Sequence, residues 1–204
     1  MIKQLLSLLV LALLLSANTL AQAGFKVGEE VADFELRNID GDMISMSDYP
    51  EAKGFIVVFT CNHCPYAKMY EQRIMELAET FNPQGYQVIA IQPNDPEAYP
   101  EDNMESMRAR ATEMGYDFPY VIDETQQTTK AYGASRTPET RVIERTDDGS
   151  LVLRYRGAID DNYREADAVE QAYTAEAVDA LLAGQAIETT SAKAVGCSIK
   201  WKDS

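Results

Sequence analysis

Phe59-Thr60-Cys61-Asn62-His63-Cys64-Pro65 decides how this chain folds. Before it runs Phe55-Ile56-Val57-Val58-Phe59, a continuous apolar stretch of the kind that forms a central strand buried on both faces. After it, Tyr66, Tyr70, Ile74, Leu77 and Phe81 recur at helical spacing and make one apolar face, which Pro83 and Gly85 end. The two thiols therefore stand between a strand and a helix start. A helix N-terminus offers unpaired N–H groups and the positive end of a dipole, both of which stabilise a thiolate. The thiolate is the nucleophile of disulfide exchange. With two residues between the sulfurs, the second can reach back and resolve a mixed disulfide.

Further elements follow outward from this motif. Residues 31–36 and 43–46 flank Asp40-Gly41 and predict a short hairpin. Residues 87–91 are a second buried strand. Prolines 93, 96 and 100 mark a loop, followed by a helix over 101–114 with Met104, Met107, Ala111 and Met114 on one face. Those methionines are read as core packing. Residues 120–122 make a strand, and Asp123 caps a helix ending near Tyr132-Gly133. Residues 141–144 and 151–155 form a second hairpin around Thr146-Asp147-Asp148-Gly149. A last helix over 174–183 stops at Gly184, and residues 184–204 read as a tail. The order implies an α/β fold with a central mixed sheet flanked by helices.

The chain begins Met1-Ile2-Lys3, continues with an apolar run from Leu5 to Ala17, and reaches Ala21-Gln22-Ala23. That is the pattern of a secretory signal peptide over residues 1–23, with retention as an anchor the other reading. The run is short for a membrane span. Residues 24–183 then form one domain, exported to the bacterial periplasm, with no stable membrane insertion after signal removal. The sequence holds 18 Lys+Arg against 33 Asp+Glu, a net charge of −15. That balance argues against nucleic-acid and anionic-lipid partners.

The cysteines number three, Cys61, Cys64 and Cys197, too few for a disulfide scaffold. A zinc site needs about four ligands, and outside the motif only Cys197 and carboxylates are available. Covalent haem would need His where Pro65 stands. No metal or other cofactor is expected. His63, the single histidine, lies between the thiols, where a cationic imidazole would favour a Cys61 thiolate. Pro65 suits the first helical turn. Cys197 is either an additional resolving thiol on a reaching tail or an incidental one.

This order of elements, with Cys-x-x-Cys after the first central strand and Thr137-Pro138 before a late hairpin, resembles the thioredoxin fold. Within it, residues 27–183 resemble the redoxin group, which includes the peroxiredoxins of AhpC/TSA type. The ending Gly196-Cys197-Ser198-Ile199-Lys200-Trp201 is similar to that of a bacterial subfamily known only as thioredoxin-like. The resemblance implies Cys61 as attacking thiol, Cys64 as resolving thiol and Pro138 as a cis-proline beside them. Thr137, preceding it, would offer backbone to a bound client strand. It implies a thiol–disulfide oxidoreductase acting on protein clients with an unidentified redox partner. The alternative is a thiol peroxidase, an antioxidant with Cys61 as the peroxide-reactive group. Arg136 and Arg141 would then be candidates to polarise a peroxide, against their plainer reading as surface charge. The chain departs from the group in three ways. No Trp precedes Cys61, the 55–59 strand has no carboxylate to move a proton, and the peroxidatic Pro-x-x-x-Thr-x-x-Cys is missing.

Overall fold

A computed structural model describes residues 24–202. The predicted signal segment, residues 1–23, lies outside the described residues. No helix among those described is long and apolar enough to cross a membrane.

The central strand is β3, Gly54–Phe59, with Phe55 to Phe59 fully buried. It pairs in parallel with β4 (Tyr86–Gln92) and antiparallel with β7 (Glu139–Arg145). Around this core the sheet adds β1 (Glu35–Asn38), β2 (Met43–Ser45), β5 (Tyr120–Ile122), β8 (Leu151–Gly157) and β9 (Ser191–Ala192). The order is β2-β1-β5-β4-β3-β7-β8-β9, with parallel and antiparallel pairs mixed. Pleating sends alternate β3 side chains to opposite faces. Ile56 and Val58 join one core with Tyr70, Ile74 and Phe81 of α1 (Pro65–Phe81), Met107 of α2 (Met104–Met114) and Val178 of α4 (Tyr173–Leu182). Phe55, Val57 and Phe59 join the other with Val121, Tyr132, Leu153 and Ile199. The buried Met107 confirms the packing role read for that face.

Two predicted boundaries move. The helix expected from residue 101 begins at Met104, where Asn103 caps it by accepting the Ser106 N–H, and residues Pro100–Asp102 form a separate 3-10 turn. The helix expected after Asp123 is only α3, Gln127–Ala131, although the Asp123 carboxylate does accept the Thr129 N–H.

The expected tail is not a free tail. After α4 the chain returns as β9 alongside β8 and then as β10 (Cys197–Ser198). β10 pairs antiparallel with β6 (Arg136–Thr137), setting Cys197 opposite Thr137 and Ser198 opposite Arg136. Ile199 enters the core at 4% exposure. The physical reason is that backbone pairing and a few scattered apolar contacts, at Ile187, Ala192, Ala194 and Ile199, suffice to dock a segment whose sequence shows no periodicity.

Candidate active site

β3 runs out at Phe59, the Thr60 N–H still bonds to the Ile91 carbonyl, and the chain then turns through Cys61, Asn62 and His63. Cys64 is the N-cap of α1 and Pro65 its first residue, where an amide donor would be unpaired in any case.

A buried carboxylate holds this turn in place. Asp102, fully buried, accepts the Asn62 N–H at 2.8 Å and the His63 N–H at 3.1 Å on one oxygen. On the other it meets His63 Nδ1 at 2.5 Å and the Asn94 amide at 2.9 Å. A carboxylate oxygen accepts, so the imidazole presents an Nδ1–H to Asp102. The ring stacks on Tyr99 with centroids 4.8 Å apart. Asn62 also donates to the Glu101 carbonyl, and its own side-chain oxygen accepts from the buried Tyr120 hydroxyl. Burial first, then the charge that Cys61 carries at alkaline pH and that of Asp102, holds that phenol well above the ordinary tyrosine range.

The Thr137–Pro138 peptide is cis and lies against the cysteines. Thr137 Oγ1 is 3.2 Å from Cys61 Sγ, and its carbonyl oxygen is 3.3 Å from Cys64 Sγ. The disulfide present joins Cys64 to Cys197, with Cα atoms 6.1 Å apart, and Cys61 is a free buried thiol. The bond anticipated from spacing was Cys61–Cys64. It is displaced here because β10 delivers Cys197 directly opposite Thr137, beside the Cys64 sulfur. All three cysteines thus pack together with Ala67 and Tyr66.

Cys61 is not the acidic thiol its place before a helix suggests. Burial, and then the nearby Asp102 charge, push it up to about 11, outweighing the Thr137 hydroxyl, the Cys64 N–H and the Asn94 amide, which act in the other direction. In this state it is a protonated thiol at neutral pH.

Cys61, His63 and Asp102 each bring one donor atom within 4.8 Å of the others. The oxygens of Asp102 are already engaged by four N–H groups, so the donor set is committed to hydrogen bonding.

The two arginines part company. Arg136 is partly exposed and donates to the Gly196 carbonyl. Arg141 is fully buried, which corrects its reading as surface charge. It projects from β7, the strand between β3 and β8, pairs with Glu139 at 3.0 Å, donates to the Tyr132 and Thr140 carbonyls and leans over the Phe59 ring. Trp201 is exposed. A surface cavity of about 360 Å³ beside α1 and α4, bordered by Arg73, Leu77 and Asp160, includes none of the cysteines.

Sequence reasoning found the thiols and missed Asp102, Asn94 and Tyr99. All three sit in the proline-rich stretch after β4. Its polar residues between prolines were the only signal that this loop does more than connect.

Known proteins resemble this chain in sequence and in fold. Over 134 residues the chain is 26% identical to the thiol-disulfide oxidoreductase ResA of Halalkalibacterium halodurans, covering 66% of this chain and 70% of that protein. An uncharacterized conserved protein from Geobacillus kaustophilus is 37% identical, with a TM-score of 0.80 over 91% of this chain and 97% of its own. A structure from Chlorobium tepidum described as a putative thiol:disulfide interchange protein DsbE has a TM-score of 0.51 over 64% of this chain and 84% of its own. At 20% identity it speaks for the thioredoxin-like fold alone. Residues 27–160 match the model of the AhpC/TSA family, and the chain belongs to that family.

Proposed function

We propose that this chain is an exported thiol–disulfide oxidoreductase that exchanges disulfides with protein clients through Cys61 and Cys64. The observation that carries the reading is the contact of both motif sulfurs with one residue, Thr137, at the cis peptide bond. Thr137 is where an extended client segment would present its sulfur to the pair. The ResA relatives are named for this chemistry, and it is carried here to the matching region of this chain.

The steps are ordinary thiol exchange. Cys61 loses its proton, and the thiolate attacks a client disulfide. One client sulfur leaves and a mixed disulfide forms. Cys64 then attacks Cys61 and frees the reduced client, leaving Cys61–Cys64 oxidised; the reverse sequence oxidises a client dithiol. Peroxide reduction at Cys61 also needs the thiolate. The raised Cys61 thiol burdens both reactions alike, and what counts against this one is the missing peroxidatic motif.

The test is reduction of insulin disulfides by the chain in the presence of dithiothreitol. Turnover well above the dithiothreitol background, lost in Cys61→Ser and in Cys64→Ser, is the expected result. Equal rates for wild type and Cys61→Ser would sink the proposal.

A further inference from the structure

The Thr137 edge, where a client would lie, is already occupied by this chain itself. Residues 196–199 lie there, with Cys197 and Ser198 as an antiparallel strand that sets Cys197 opposite Thr137. Each residue of the segment fits its place. A Cβ on Gly196 would collide with the Thr137 carbonyl oxygen, so glycine is required for this approach. The Gly196 carbonyl accepts from Arg136 at 2.9 Å. Cys197 is bonded to Cys64. The Ile199 N–H bonds to the Ser135 carbonyl, and its side chain is buried in the core beneath the sheet.

Beyond Ile199 the segment is latched. Lys200 donates its N–H to Asn94 Oδ1 at 2.8 Å, and its carbonyl accepts from the Asp95 N–H and the Gln126 amide. Gln126 Oε1 in turn accepts the Lys202 N–H. Gln126 is buried and has φ 58, a left-handed conformation unusual for a residue with a side chain. Its side chain is spent on this segment and on the Pro93 carbonyl.

We propose that residues 196–199 are a built-in client and Cys197 a third exchange thiol, so that the chain passes its own disulfide between Cys64–Cys197 and Cys61–Cys64. This rests on the exchange function proposed above. In the step, Cys61 thiolate attacks Cys64 Sγ. The Cys61–Cys64 bond forms, the Cys64–Cys197 bond breaks, and Cys197 leaves as a thiolate. The proton given up by Cys61 is balanced by the one Cys197 takes up. One disulfide and one thiol stand on each side, so no outside oxidant is consumed. Release of the segment opens the Thr137 edge. The external client favoured there is an extended segment shaped like the resident one, with glycine before its cysteine and an aliphatic residue two places after.

The test uses the full chain, oxidised in a glutathione buffer, acid-quenched, alkylated and mapped by mass spectrometry without reduction. Wild type is expected to carry mainly Cys64–Cys197. In Gly196→Val, and independently in Ile199→Ala, the ratio of Cys61–Cys64 to Cys64–Cys197 should rise at least tenfold. Exchange with oxidised glutathione should quicken in both. The proposal is overturned if wild type holds only Cys61–Cys64, or if both variants keep the wild-type ratio and rate. Those outcomes leave the exchange function standing. Failure of that function shows differently, as no exchange by wild type and by Cys197→Ser alike.

Discussion

Asp102→Asn should make Cys61 more acidic while making the protein less stable. The two atoms concerned lie within 4.8 Å of one another. At that separation two unit charges interact by about 3 kcal/mol at an effective dielectric near 20. Since one pKa unit corresponds to about 1.4 kcal/mol, the charge alone accounts for up to about two units. Burial, the larger cause, is untouched by the substitution. The midpoint of Cys61, now about 11, is therefore expected to fall by about one to two pH units. Stability moves the other way. The amide oxygen cannot satisfy all four donors that now converge on Asp102, and each buried donor left unpaired costs about 1–3 kcal/mol. In the oxidised protein Cys61 is the single free thiol, so its 13Cβ chemical shift followed against pH reads the midpoint without any need for reagent access. A midpoint that stays put or rises, in a variant with wild-type circular dichroism, would refute the electrostatic account of this site.

Further outcomes follow from the same contacts. The Cys61 thiol is raised in the fold from 9.0 to about 11, so the fold favours its protonated form; that contribution is complete below pH 9 and is lost as pH climbs toward 11. It amounts to about 3 kcal/mol, and urea denaturation at pH 8 and pH 11 should show the alkaline loss reduced by that order in Cys61→Ala. Buried tyrosines such as Tyr70 and Tyr86 are raised too, so the comparison between variant and wild type is what reads the thiol. Arg141→Ala should cost about 3–5 kcal/mol in chemical denaturation, because it strands the Glu139 carboxylate in the interior. A loss below about 1 kcal/mol would mean that the Ser135 and Arg136 N–H groups alone satisfy Glu139.

The strand and helix flanking the thiols were legible because their signals are local. A five-residue apolar run can only be buried, and side chains at helical spacing can share a face only on a helix. The cis Thr137–Pro138 position came from resemblance and not from any local rule. Asp102 was illegible because what defines it is a set of contacts made across the fold, 39 residues away from His63 in sequence. Its own neighbours, Glu101 and Asn103, read as the polar first turn of the helix expected over 101–114. Arg141 misled for the opposite reason. A charge in a short hairpin strand ordinarily faces water, but β7 lies between β3 and β8 and has no free edge. Residues 196–199 carry just one aliphatic anchor, Ile199, and a two-residue strand has no period to detect.

The same placement explains why a reactive thiol should be found buried. Cys61 sits near the start of α1 with the Cys64 N–H and the Thr137 hydroxyl turned toward it, features that favour a thiolate. Burial nonetheless dominates, and part of that burial comes from Cys197, which packs against the Cys61–Cys64 cluster. If residues 196–199 leave the Thr137 edge, water reaches Cys61, the largest cause of its raised pKa weakens, and the groups favouring the thiolate remain. Reactivity is then coupled to vacancy of the client site. On the proposed mechanism Cys61 is a strong nucleophile toward a client when that edge is free; while the edge is filled the disulfide is stored on Cys64 and Cys197, and Cys61 attacks Cys64 only through its small thiolate fraction. A thiol tuned to be acidic at all times would react with any small disulfide that reached it; a thiol held mostly protonated beneath its own client segment is slow toward outside disulfides until that segment has left.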